Sequence, residues 1–358
     1  LTGDNNIAIG NGTLLNSTEG NSNIAIGVDA LNSNLKGDNN IAMGNFSLLS
    51  NTTGGGNIAI GNEALKLNTT GPLNTAIGAK ALLSNKTGQL NTANDVNALL
   101  SNTIGDENTA NGSFALEKNT EGFYNTSSGS YALAGNTTGY NNTAIGTSAL
   151  SSNTTGYGNT AVGYASGPSI GSVNLSNSTA IGNAAKVTSS NQVQIGNLLV
   201  ESIGGYQDWS DLSDGRYKNN IIEDVAGIDF IMGLRPITYN LDVEKLSTKL
   251  GEYSRVDKNG NRMQAELSPE MVEARQRKAS KREVGFIAQE VEELANNLGF
   301  DFSGVEVPEN EQSMYRLRYA EFVVPIVKAM QEQQVVITGL ESVVARLQIQ
   351  IEGLKKSK

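Results

Sequence analysis

The chain has 358 residues, 38% of them hydrophobic and only 6% aromatic, with 26 Lys and Arg against 36 Asp and Glu for a net charge of -10. It contains neither Cys nor His, which excludes disulfides, zinc–thiolate sites, cysteine nucleophiles and the commonest general base. The acidic balance argues against a nucleic-acid or anionic-membrane surface, and no apolar run approaches the roughly 18 residues that a membrane span needs. A length beyond about 250–300 residues predicts more than one structural unit. The chain starts at Leu1 with neither Met nor a signal peptide, so a piece of something longer is expected.

The charges are unevenly spread. Residues 1–200 hold 6 Lys, no Arg and 10 Asp or Glu, leaving 20 basic and 26 acidic residues for 201–358. The first stretch is rich in Asn, Gly, Thr, Ser, Ala and Ile and is strictly periodic. Asn recurs at 6, 23, 40, 57, 74, 91, 108, 125, 142 and 159, a spacing of 17. Gly keeps the same period from 3 to 156, Leu from 14 to 150, and a second Asn from 34 to 153. A polar linker would not hold these phases. Seventeen residues are too few for a helix–turn–helix repeat but suit one coil of a β-solenoid, with two short strands and two turns. Ile-Ala-Ile reads as a short alternating strand flanked by Gly at turns. One coil cannot bury its own apolar face, but stacked coils can. Identical Asn side chains then form ladders, each amide bonded to its copy in the next coil. The same ladders account for the Asn-x-Thr and Asn-x-Ser triplets better than glycosylation does. At about 4.8 Å per coil, ten coils stack to roughly 50 Å.

Three copies depart from the pattern: the Ile position becomes Asn94, Asn111 and Ser128, and a Gly becomes Asp95. An apolar stripe thus turns polar, which suggests an ion or ordered water on a trimer axis, a longer Asn/Ser ladder or simple drift of the repeat. The period drifts near the end. Pro168–Asn177 reads as an insertion, and Ser178-Thr-Ala-Ile-Gly182 and Gln192-Val-Gln-Ile-Gly196 as final rungs. This repeat resembles the β-roll heads of trimeric autotransporter adhesins, and more closely the Asn-Thr-Ala-x-Gly repeats of bacterial surface and phage tail-fibre-like proteins. The resemblance covers about 1–197 and implies a homotrimer of parallel, left-handed β-rolls.

A neck is expected at 201–212, which holds the only Trp, Trp209. Beyond it come Ser213-Asp-Gly-Arg-Tyr-Lys218, then Leu234-Arg-Pro-Ile-Thr-Tyr-Asn240, Val284-Gly-Phe-Ile-Ala-Gln-Glu-Val291, and Tyr319-Ala-Glu-Phe-Val-Val-Pro-Ile326. Asp257-Lys-Asn-Gly-Asn261 is a turn or hairpin signal, and 268–281 is predicted helical. The basic run Arg275–Arg282 is preceded by acids and reads as a solvated helix face. From about 320 the pattern is helical, with Leu340, Leu347 and Leu354 seven apart. Val336 and Val343 lie between them, with Ile337, Val344 and Ile351 alongside. That wide stripe predicts a coiled coil of three or more strands, with Gln333 and Gln350 on the seam fixing register. Pro325 falls near the helix start, where it is best tolerated.

Taken in order, these motifs resemble the C-terminal intramolecular chaperone of endosialidases and phage tail fibres, over about 210–358. The resemblance implies autoproteolysis between Leu212 and Ser213, with Ser213 as nucleophile and Lys218 as general base. A neutral Lys amine can take a Ser proton where no His is available. A free lysine holds its proton to about pH 10.4, so acting near neutrality needs desolvation or repulsion worth roughly 4 kcal/mol. A closed trimer interface would supply it, Arg216 would add repulsion, and Asp214 would oppose it or orient the backbone.

The expected fold class is mainly β plus α+β. It comprises a solenoid of 17-residue repeats at 1–167, irregular rungs at 168–200, the neck at 201–212, a small α+β chaperone domain at 213–319 and a coiled-coil helix at 320–358. The expected function is an extracellular homotrimeric fibre or adhesin, on a virion, an injection particle or a bacterial surface. It would bind a host-cell surface receptor or glycan, attach to an upstream fibre or baseplate component, and use no cofactor or metal. Autoproteolysis would be its single-turnover chemistry. A polysaccharide-degrading tailspike is the alternative, disfavoured because the repeat has no carboxylate pair held in phase and few aromatic platforms. A DNA-binding factor is improbable for an acidic first half without Arg.

Overall fold

The computed structural model describes residues 3–172, 174–204, 206, 210–256, 262–264 and 266–356. Trp209 and the Asp257–Asn261 turn lie outside the described residues. Contacts divide the chain into two units. The first is the chain up to Glu201 together with Asp242–Gln276; the second is Ser202–Leu241 with Arg277–Lys358. The stretch 242–276 thus groups with the repeats.

The first unit is a parallel β-solenoid. Its strands are β1 (Ile7–Ile9), β2 (Ile24–Ile26), β3 (Ile41–Met43), β4 (Ile58–Ile60), β5 (Thr75–Ile77), β6 (Thr92–Asn94), β7 (Thr109–Asn111), β8 (Thr126–Ser128), β9 (Thr143–Ile145) and β10 (Thr160–Val162). With β12 (Thr179–Ile181) and β14 (Val193–Ile195) they form one 12-stranded parallel sheet. Each rung pairs in register with its copy, as Ala59 with Ala76. Each regular coil carries one three-residue strand, not the two expected. Its opposite side is a chain of turns in which Leu31, Leu48, Leu65 and their equivalents adopt the left-handed region, with φ near 50°. There the backbone still bonds from coil to coil, as Leu48 N to Ala64 O at 3.0 Å. A second strand pair, β11 (Gly167–Pro168) with β13 (Lys186–Val187), forms only where the irregular rungs begin.

From β2 to β10 the small middle residue of the strand faces inward. Ala25, Ala42, Ala59 and Ala76 are fully buried with Leu31, Leu48, Leu65 and Leu82, whereas Ile9, Ile60 and Ile77 stay 59%, 37% and 40% exposed. A regular coil encloses two small residues, Ala or Ser, with one Leu and two Asn, and has no room for a further branched side chain, so the last residue of its strand points outward. Each buried Leu contributes about 2 kcal/mol, and an Asn buried without partners would cost a similar amount. The Asn bonds therefore decide whether a coil is stable. They are complete through the regular coils: Asn40 Nδ2 donates to Asn23 Oδ1 at 3.1 Å and to Gly54 O at 3.0 Å. Asn51 Nδ2 donates to Asn34 Oδ1 and to the same Gly54 O, both at 2.9 Å. One Gly carbonyl thus ties the two ladders together. A second Gly series opens the turn after each strand. Gly61 has φ +140°, and a Cβ there would lie 2.5 Å from Gly78 O. Asp95 occupies this position in one coil, at φ 103°. The ladders end where the repeat drifts: Ser178 replaces Asn and donates to Asn159 Oδ1 at 2.7 Å, while Asn153 Oδ1 is buried without a partner among the described residues.

Also in this unit, α2 (Val243–Leu250) is followed by the antiparallel pair β16 (Ser254–Val256) and β17 (Arg262–Gln264) and by α3 (Pro269–Ser280), which runs on past Gln276. In the second unit, α1 (Ile228–Gly233) precedes β15 (Ile237–Asn240), which pairs antiparallel with β18 (Arg282–Gly285). Then come α4 (Ala288–Asn297), the short pair β19 (Val305–Glu306) and β20 (Arg316–Leu317), and the 34-residue helix α5 (Val323–Lys356). Its core is aromatic: Phe230 is fully buried against Phe300, Phe302 and Phe322. Three of the sequence segments singled out above contribute to this core: Phe286 follows β18, Val291 lies on α4, and Phe322 precedes α5. Beyond its first turns, α5 leaves its seam bare, with Val336, Leu340, Val343, Leu347 and Leu354 between 47% and 70% exposed.

Candidate functional site

The site starts from a short helical turn. Asp214 caps a 3-10 helix at Gly215–Tyr217 by accepting from Arg216 N at 2.9 Å. The turn reverses the chain so that Lys218, five residues on, returns to Ser213. Lys218 Nζ donates to Ser213 Oγ at 2.8 Å. Both side chains and Leu212 face solvent. The contact is the one a Ser–Lys dyad requires: once the amine has lost a proton, the bond reverses and the hydroxyl donates to nitrogen.

Asp214 also accepts from Arg216 Nε at 2.9 Å and from Nη2 at 2.5 Å. The Arg216 side chain, then its backbone N–H, hold the Asp214 carboxyl below the usual carboxylate range, and Asp214 in turn raises Arg216. The two charges offset each other in direct contact. The repulsion expected of Arg216 is therefore largely cancelled, and Asp214 is engaged away from the lysine.

The three polar substitutions fall outside the solenoid core. Asn94, Asn111 and Ser128 are exposed on the outward edge of β6, β7 and β8. Among the described residues no group of three or more acidic side chains is placed to hold a metal ion.

Sequence reading missed a cavity of about 520 Å³ in the second unit, lined by Tyr239, Ile287, Gln289, Tyr315, Arg316 and Tyr319 among others. Tyr319 Oη accepts from Phe286 N at 3.2 Å, and Tyr315 Oη donates to Glu292 at 2.8 Å. Its residues come from separated segments with no common spacing, so no sequence signal marks it. Neither Ser213 nor Lys218 lines it.

Fold and geometry together define a parallel β-solenoid protein with a small α+β region and a long C-terminal helix. No protein-family model, curated protein or solved structure matches the chain. Among the described residues no helix is long and apolar enough to cross a membrane.

Proposed function

We propose that this chain is part of a homotrimeric extracellular fibre that binds a host surface receptor or glycan, and that its C-terminal region is an intramolecular chaperone that aligns three chains and then cuts itself free. The observation that carries this reading is the 2.8 Å contact between Lys218 and Ser213 in a chain without His or Cys. The bare seam of α5 and the outward Ile rows of the solenoid fit three parallel copies that cover one another. A solenoid of near-identical rungs has many wrong registers close in energy to the right one, and its parallel pairing is slow to nucleate. A trimer clamp at one end would fix the register first.

In the proposed reaction Ser213 Oγ attacks the carbonyl carbon of Leu212. Lys218 takes the hydroxyl proton and passes it to the Ser213 nitrogen as the C–N bond breaks, leaving an ester. Water then hydrolyses the ester to a Leu212 carboxylate and a Ser213 with free hydroxyl and amino groups. Both dyad side chains are exposed in the single chain, so the desolvation that frees the lysine would come from assembly. Cleavage would then report a completed trimer, and losing the clamp would leave the fibre kinetically stable.

Denaturing mass analysis of wild type beside Ser213→Ala and Lys218→Ala tests this. Wild type should yield two fragments that meet at 212/213, and both variants a full-length chain. Full-length chain in all three overturns the proposal.

A further inference from the structure

The stretch 242–253 carries a contact that the dyad does not explain. Asp242 caps α2 by accepting from Lys245 N at 3.0 Å, and Gly251 ends it in the left-handed region at φ 64°. That stop turns Glu252 and Tyr253 toward the last coils of the solenoid. Three contacts result. Gly251 packs on Ile170 so closely that a Cβ would lie 2.1 Å from Ile170 Cγ1. Leu198 N donates to Glu252 Oε1 at 3.1 Å, and Asn197 Nδ2 donates to Tyr253 Oη at 2.9 Å. Glu252 and Tyr253 are only 4% and 3% exposed, and Val243, Ser247 and Leu250 are buried with them.

A buried carboxylate needs its oxygens satisfied, yet among the described residues Glu252 Oε2 has no hydrogen-bond partner. The groups that face Glu252 are Ser247 on α2, Leu198 N, Tyr253, Arg275 on α3 and Lys186 on β13. Arg275 is itself buried and lies 3.6 Å from Glu244, and Lys186 Nζ donates to Ala165 O at 2.6 Å. Both cations are thus partly engaged elsewhere.

We infer that Val243–Tyr253 is a latch on the end of the solenoid, and that ionisation of Glu252 loosens it. Burial is the largest influence on this carboxyl and raises it above the usual carboxylate range; the Leu198 N–H, Arg275, Ser247 and Lys186 oppose it more weakly. An acid raised in the docked state holds its proton better docked than free. Docking is therefore strongest at low pH and weakens as pH rises from the ordinary carboxylate range through the raised one. One consequence rests on the proposed scission. The peptide bond Leu212–Ser213 lies in sequence between Leu198 and Glu252, so in a cut chain this contact remains as a non-covalent link between the fragments. They would stay together in acid and part as pH rises.

Hydrogen exchange on the full Ser213→Ala chain tests the latch whether or not wild type cuts itself. After correction for intrinsic rates, the Leu198 amide and those of 247–253 should lose protection by about tenfold or more between pH 5 and 7.5. Glu252→Gln should remove that dependence. Tyr253→Phe, which deletes the Asn197 bond without touching charge, should lower protection by the same factor at both pH values. A flat response in the Ser213→Ala chain, or an equal response with Glu252→Gln added, overturns the latch. The scission is judged separately by the chain masses.

Discussion

The side-chain amide of Asn51 donates to Oδ1 of Asn34, one coil earlier, at 2.9 Å. This bond repeats between each Asn of the series up to Asn153, whose own Oδ1 is left bare. Removing an interior member therefore strips partners from both neighbours. Asn85→Ala takes the acceptor from Asn102, the donor from Asn68 and one of the two donors from Gly88 O. A loss of about 3 kcal/mol is expected from the groups left unpaired. Asn153→Ala, at the open end, should cost less. Denaturant unfolding of the two variants side by side checks the order, with fits that allow for the quasi-one-dimensional cooperativity of repeats.

Asp95 holds a place that Gly fills in the neighbouring coils, at φ 103°. Asp95→Gly should stabilise the solenoid by about 1 kcal/mol, because strain at a non-Gly residue in this region is of that order. The converse change, Gly112→Ala, puts a Cβ 2.8 Å from the Gly129 carbonyl carbon at φ +129°, and should destabilise by more than Asp95→Gly gains. Thermal unfolding of both variants decides.

Lys218→Arg keeps a positive charge and donors to reach Ser213, but a guanidinium does not give up its proton in proteins. If Lys218 is the base, Lys218→Arg should stay full length on a denaturing gel. Cleavage at the wild-type rate would leave the lysine only a positioning role.

On α5, Leu340 and Leu347 are 59% and 50% exposed and touch none of the Phe230 core. The double change to Asp should leave that core folded and abolish self-association. Sedimentation should report a trimer for wild type and a monomer for the variant. A variant that stays trimeric would place the clamp elsewhere.

The solenoid was legible because its information is local and repeated: a fixed phase of Asn, Leu and Gly dictates in-register stacking. The facing of its strands was not. Ile-Ala-Ile alternates whichever side is inside, and only the width of the coil puts Ala in and Ile out. The single strand per coil escaped for a related reason, since a left-handed Leu leaves no mark on hydrophobic periodicity. Ser213 and Lys218 stand out in the sequence through the surrounding motifs rather than their spacing. The structure adds the capped turn that brings them together and the Asp214–Arg216 pairing beside them. Glu252 gave no signal at all, because its burial depends on Leu198, more than fifty residues away.

Because every regular coil offers its neighbour the same amides, carbonyls and Leu side chains, none is adapted to a particular place in the stack. Whole coils can be gained or lost by duplication or deletion in steps of the period without new complementarity having to arise. Reach is thus a property that evolution can adjust by counting.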